Sequence, residues 1–170
     1  LDISENVCGG DATQSLVRLL SKAKIARLIA QRVGPAADAL QTCTPKSLTS
    51  LDLSGNRVGG KTEAVRRLGL FLNNCRDLES LSLSNCDMGA DTLSILWNTE
   101  SRLSSLADLN LSDNELGDDG LLLVFGSLRG NTRLRSLNIS RCWGKKTKNR
   151  QRLITELSFL SDPACQITRV

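Results

Sequence analysis

The hexapeptide Leu109-Asn-Leu-Ser-Asp-Asn114, with Leu106 three residues ahead of it, carries the organisation of the whole chain. Alternate residues of a strand face opposite sides, so Leu109 and Leu111 point one way and Asn110 the other. The same pattern recurs as Leu51-Asp-Leu-Ser-Gly-Asn56, Leu81-Ser-Leu-Ser-Asn-Cys86 and Leu137-Asn-Ile-Ser-Arg-Cys142, and it opens the chain as Leu1-Asp-Ile-Ser-Glu-Asn6. A weaker copy starts at Leu28, and Cys165-Gln-Ile-Thr-Arg-Val170 keeps the register at the end. The lead positions are 1, 28, 51, 81, 109, 137 and 165, giving steps of 27, 23, 30, 28, 28 and 28 residues. Most copies repeat the earlier apolar residue too, at Leu48, Leu78, Leu106 and Leu134, with Ile25 in the weak one. Self-similarity at such a period is the signature of a repeat architecture.

What lies between the copies completes a unit. After each strand comes a Gly- or Asp-bearing turn and then an amphipathic run. In Asp119-Gly-Leu-Leu-Leu-Val-Phe-Gly-Ser-Leu128, the residues Leu121, Val124, Phe125 and Leu128 share one helical face, and Gly130-Asn131 marks the end of that helix. Further helices are expected near 13–22, 61–74, 91–98 and 150–160, with a short one near 36–42. Each strand-helix unit is apolar on a face it cannot cover alone, so the units must stack. The Asn or Cys that ends each strand motif, at 6, 56, 86, 114 and 142, falls in a turn where a small polar side chain bonds neighbouring backbone inside the stack.

The pattern L-x-x-L-x-L-x-x-N/C resembles that of the leucine-rich repeat family over the full length of the chain, and a period near 28 resembles its ribonuclease-inhibitor-like subclass. That resemblance implies an α/β fold. It would be a right-handed solenoid forming a horseshoe arc, with a parallel sheet on the concave side and helices on the convex side. Residues 1–170 are read as a single array of about six repeats. Neither end carries the polar capping repeat that a solenoid normally needs, so the array is expected to be a segment of a longer protein.

Composition narrows the chemistry. The chain has 170 residues, 40% of them hydrophobic, which suffices for a core. Histidine and tyrosine are absent, which removes histidine bases, Ser-His-Asp triads and His-ligated zinc. No run of apolar residues is long enough to span a membrane, and no signal-peptide pattern opens the chain. The six cysteines, at 8, 43, 75, 86, 142 and 165, include no Cys-x-x-Cys pair. They read as buried free thiols in a reducing, intracellular compartment, cytoplasmic or nuclear, rather than as a disulfide framework.

Two motifs are explained by the repeat itself. Gly55-Asn-Arg-Val-Gly-Gly60-Lys61-Thr62 matches the phosphate-binding pattern G-x-x-x-x-G-K-[ST] and lies between a predicted strand and a predicted helix. Yet Gly59 aligns with Gly9, Gly89 and Gly117, so the glycine belongs to the repeat turn and only Lys61 and Thr62 are left to coincidence. The sequons Asn110-Leu-Ser112 and Asn138-Ile-Ser140 lie on strands and arise from the repeat in the same way.

The outward strand positions form three columns. The first is Asp2, Ile29, Asp52, Ser82, Asn110, Asn138 and Gln166; the second is Ser4, Gln31, Ser54, Ser84, Ser112, Ser140 and Thr168; the third is Glu5, Arg32, Gly55, Asn85, Asp113, Arg141 and Arg169. Acids gather in the central repeats at Asp87, Asp108, Asp113, Glu115, Asp118 and Asp119. A basic patch follows: Arg141, Lys145, Lys146, Lys148, Arg150 and Arg152 put six positive charges into residues 141–152 with no acid, although the chain's net charge is only +4. Trp143, at a turn beside Arg141, has the composition of a binding hot spot, whereas Trp97 is expected in the core.

These features point to a non-enzymatic module that holds a protein or peptide partner on its concave face. The candidate contacts are Asp52, Asp87, Asp108, Asn110, Asp113, Glu115, Asn138, Arg141, Trp143 and Arg169. No cofactor and no metal are expected. Two other readings stand beside this one: a GTPase regulator resembling RanGAP, which uses the same repeat class, and nucleotide binding at 55–62. The basic patch keeps nucleic acid open as a weaker partner.

Overall fold

The computed structural model describes residues 1–6, 10–34, 45, 47–97, 105–129, 131–143 and 150–157. The short helix expected near 36–42, the last copy at 165–170, and the residues Lys145, Lys146, Lys148 and Arg169 lie outside them.

From β2 onward the described strands and helices alternate along the chain. The described elements are α1 (Gly10–Lys22), β1 (Arg27–Ile29), β2 (Ser50–Asp52), α2 (Thr62–Asn74), β3 (Ser80–Ser82), α3 (Ala90–Leu96), β4 (Asp108–Asn110), α4 (Gly117–Leu128), β5 (Ser136–Asn138) and α5 (Arg150–Leu157). The strands form one parallel sheet in chain order, β1-β2-β3-β4-β5. Their register follows the repeat, since Leu28, Leu51, Leu81, Leu109 and Leu137 are partners in turn. The first copy adds a bridge from Asp2 to Ile29, and the N–H of Ile3 donates to the Ile29 carbonyl at 2.9 Å. This is an open α/β solenoid, a parallel sheet stacked one strand per repeat, with described helices between β2 and β3, β3 and β4, and β4 and β5.

The core is written by the alternation. Leu51, Leu53, Leu81, Leu83, Leu109, Leu111, Leu137 and Ile139 are all buried, while Asp52, Ser82, Asn110 and Asn138 between them are half-buried. From the other side, α2 supplies Val65, Leu68 and Phe71, and α3 supplies Leu93 and Leu96. The α4 helix supplies Leu121, Val124, Phe125 and Leu128, the face expected from the sequence. That helix stops at Leu128, and Asn131 then fixes the return to β5. Its Oδ1 accepts from the N–H of Arg133 and of Leu134 at 2.7 and 2.9 Å, and its Nδ2 donates to the Leu106 carbonyl of the preceding repeat at 3.0 Å. Trp97 ends α3 and packs, partly buried, against the core.

Inside each turn the Asn position stitches repeats together. Asn114 Nδ2 donates to the carbonyls of Leu83 and Leu111, both at 2.7 Å, and its Oδ1 accepts from the N–H of Cys86 and Met88 at 2.9 and 3.0 Å. Asn56 repeats this with the carbonyls of Ala30 and Leu53 and the N–H groups of Val33 and Gly34. A buried amide that fills both its donors and its acceptor costs little to desolvate, which is why asparagine is tolerated there. Cys86 and Cys142 keep the donor half alone, through Sγ contacts to the carbonyls of Leu53 at 3.2 Å and Leu111 at 3.0 Å. Both are fully buried, and Cys75 is buried as well; all three are free thiols. Burial pushes the Cys86 thiol up to about 12 and raises that of Cys142, which removes thiolate chemistry near neutral pH.

Candidate functional site: the outward face of the sheet

Each strand leaves the sheet through the same device. Its second-column residue is followed by a residue in the left-handed region: Glu5, Arg32, Gly55, Asn85, Asp113 and Arg141, with φ of 61, 49, 74, 53, 60 and 56°. For a residue with a β-carbon this conformation costs about 1–2 kcal/mol. The cost is offset by a ladder that runs on past the strands. The N–H of Glu5 donates to Gln31, Arg32 to Ser54, Gly55 to Ser84, Asn85 to Ser112 and Asp113 to Ser140, at 2.8 to 3.1 Å. The sheet is therefore hydrogen-bonded beyond the three residues of each strand, and the third column is held at fixed spacing.

That column pairs its own charges. Arg32 bonds Glu5 in the previous repeat. Arg141 bonds Asp113 through both Nε and Nη2, the latter at 2.9 Å. The Arg141 guanidinium holds the Asp113 carboxyl below the usual carboxylate range. In the turns just beyond, Arg57 lies 3.8 Å from Asp87. Asp113 and Asp87 are thus not free acids, whereas Asp108 at the start of β4 and Glu115 in the following turn are exposed and form no ion pair among the described residues. Sequence reading placed these residues on one surface but missed the pairing. Its signal was there, in opposite charges at one repeat position a single period apart.

The first two columns are also locked together. Asp2, Asp52, Asn110 and Asn138 each accept, through Oδ1, the N–H of the serine two residues on, at 2.9, 2.9, 3.1 and 3.1 Å. The bond from Ser4 holds the Asp2 carboxyl low. Hydroxyls bridge neighbouring repeats, Ser54 to Ser82 at 2.8 Å and Ser84 to Ser112 at 2.9 Å. Small side chains tied to one another leave the face open to close approach.

Of the remaining candidates, Trp143 is 48% exposed and so is not swallowed by the solenoid edge. Arg150 opens α5 and Arg152 on the same helix is exposed. The segment 55–62 offers no phosphate cradle. The N–H groups of Gly55, Asn56, Val58, Gly59 and Lys61 all donate to protein carbonyls, with Gly59 bound to Cys86 at 2.8 Å. A phosphate loop needs such groups turned to the ligand. The corresponding Gly117 donates to the Cys142 carbonyl at 3.1 Å, so the glycine serves the stacking of repeats, as its alignment implied. At Gly89 the arrangement differs, for its N–H donates to Thr92 Oγ1 at 2.6 Å and caps α3.

Comparison with known proteins agrees with this geometry. The family model described as Leucine Rich repeat matches residues 44–61, 74–93 and 102–124. Mouse ribonuclease inhibitor is 38% identical over 97 residues, 56% of this chain and 21% of its own length. The chain carries leucine-rich repeats of the ribonuclease-inhibitor-like kind. The Rho GTPase-activating protein gacW of Dictyostelium discoideum is 30% identical over 163 residues, 95% of this chain but 14% of that protein. Human NACHT, LRR and PYD domains-containing protein 13 is 33% identical over 98 residues, 57% of this chain and 9% of that protein. The leucine-rich repeat chain thus spans a minor part of each of these relatives. No helix among its described residues is long and apolar enough to cross a membrane.

Proposed function

We infer that the module holds a protein or peptide partner on its concave face, without catalysing a reaction, in an intracellular setting. The observation that carries this reading is the sheet face itself. The in-register strands β2 to β5 present small, mutually bonded polar side chains, from Ser54 and Ser82 to Asn110 and Asn138, and among the described elements none lies across them. Such a pre-ordered surface loses little conformational freedom on binding. Asp52, Asn110 and Asn138 form its floor, Asp108 and the Asp113–Arg141 pair flank the floor, and Asp87, Glu115 and Trp143 stand in the turns at one rim. Affinity purification with the wild type and with Arg141→Ala/Trp143→Ala, at low and moderate salt, tests the rim. Proteins retained by the wild type and lost by the variant at both salts support it. Recovery of nothing but salt-sensitive nucleic acid would move the working surface to the basic segment 145–152.

The likeness to a Rho GTPase-activating protein over 95% of the chain favours a second reading, that this array belongs to a GTPase regulator. Direct measurement of GTP hydrolysis by Rho-type GTPases separates the two. Acceleration by the isolated chain establishes the regulator, and binding without acceleration leaves the array as its partner-holding part.

A further inference from the structure

Resting on the concave-face reading, the finer chemistry of the first column specifies a partner. At Asp52, Asn110 and Asn138 the Oδ1 atom is occupied by the turn to Ser54, Ser112 and Ser140, so the recognition group is whatever the other terminal atom supplies. At Asn110 and Asn138, neighbours in register, that atom is an Nδ2 with no hydrogen bond among the described residues. At Asp52 that atom is instead a carboxylate oxygen, Oδ2. This carboxylate takes the Ser54 N–H, the Ser54 hydroxyl and Gln31 Nε2, and meets no cation among the described residues. A carboxylate has room for about four such bonds. The column therefore changes hydrogen-bonding polarity along the sheet, from a charged acceptor on β2 through Ser82 to paired donors on β4 and β5. Exposed Asp108 beside the donors disfavours a second carboxylate there, so the acceptor they take is neutral.

We propose that Asp52, Asn110 and Asn138 read an extended polypeptide segment laid across the strands, with an arginine or lysine on Asp52 and neutral carbonyl or amide oxygens on the asparagine pair. Neighbouring strands stand roughly 4.8 Å apart, so β2 and β4 are separated by about 10 Å, a span an extended chain covers in about three residues.

The columns allow a test that leaves the fold alone. Asp52→Asn and Asn110→Asp/Asn138→Asp are isosteric and keep the Oδ1 acceptor of each turn; the other terminal atom changes, which at position 52 also takes the acceptor from Gln31 Nε2. The probe is an array of short Ser/Thr/Val peptides carrying one Arg and one Gln at every spacing, with norleucine and Leu as respective controls. Wild type should retain best the peptides with Arg about three residues from Gln. Asp52→Asn should weaken the preference for Arg over norleucine about tenfold, the loss of one charge-assisted bond. The double swap should exchange the preference for Gln at the far end for one for Arg. Ser82→Arg, in the middle of the column, should abolish retention. If the swaps leave the preferences unchanged while Ser82→Arg still abolishes retention, the inference falls and the concave-face reading stands. Retention that survives Ser82→Arg, or none by wild type, overturns both.

Discussion

A β-carbon built on Gly59 stands 1.9 Å from the carbonyl oxygen of Asp87 in the next repeat, whereas one on Gly60 meets nothing within 4 Å. The obstacle at Gly59 is backbone, which cannot swing aside as a side chain does, and the Gly59 N–H is bonded to that same turn at the Cys86 carbonyl. Gly59→Ala should therefore cost about 1–3 kcal/mol, the range for overpacking a close contact. Gly60→Ala, free of any such contact, should be neutral or stabilising by about 0.4–1 kcal/mol through the unfolded chain. Urea unfolding of the two variants checks this, and equal losses would mean that the loop is not held by the neighbouring repeat. Asp113 makes a second residue-scale prediction. Because Arg141 depresses its folded pKa, the folded state binds that proton less readily than the unfolded chain does. The pair's stabilisation is thus complete above the ordinary carboxyl value of 3.8 and disappears as the pH falls through the lowered folded value. Carboxyl titration by NMR should place the Asp113 midpoint higher in Arg141→Gln than in the wild type. The stability difference between the two proteins should vanish in acid.

The strand-turn-helix unit was legible because its two periodicities are local. Period two sets Leu109 and Leu111 inward, and the helical period sets Leu121, Val124, Phe125 and Leu128 on one face; both follow from backbone geometry without knowledge of the neighbours. The left-handed residue was not legible. Gly55 hints at it, but Glu5, Arg32 and Arg141 occupy the same conformation with side chains that disfavour it, and at Glu5 and Arg32 what holds the residue is the carbonyl of the following repeat. A position whose conformation is decided by tertiary hydrogen bonds leaves no trace in its own residue type. The inward-outward register predicts a sharp contrast within one strand. Leu109→Ala should cost about 2–5 kcal/mol, as for any truncated buried leucine. Asn110→Ala, which loses one turn bond on a half-buried side chain, should cost about 1 kcal/mol. Equal losses by chemical unfolding would show the register to be wrong.

Across the whole molecule every contact between described elements joins neighbours: β1 with β2 and on to β5, α2 with α3, α3 with α4, and α4 with α5. The sequence shows this in the regularity of its period. It does not show which surface charges remain free, because Arg32 and Glu5, or Arg141 and Asp113, cancel across repeats that are distant in sequence. A chain bonded only to its neighbours behaves as a one-dimensional stack, in which a lesion is felt according to its place. Leu28 and Leu81 are both essentially buried, in β1 near one end of the described sheet and in β3 at its middle. Truncating either to alanine removes a similar local stabilisation, about 2–5 kcal/mol. Their consequences should nonetheless differ. Leu28→Ala weakens one outer interface, so amide exchange should quicken in the first repeats while β4 and β5 keep their protection. Leu81→Ala weakens the interfaces on both sides of β3, so the two halves lose their coupling and exchange should quicken along the array. If both variants raised exchange uniformly, the array would be unfolding as one indivisible unit, and recognition on its face would depend on every repeat rather than on the strands in contact.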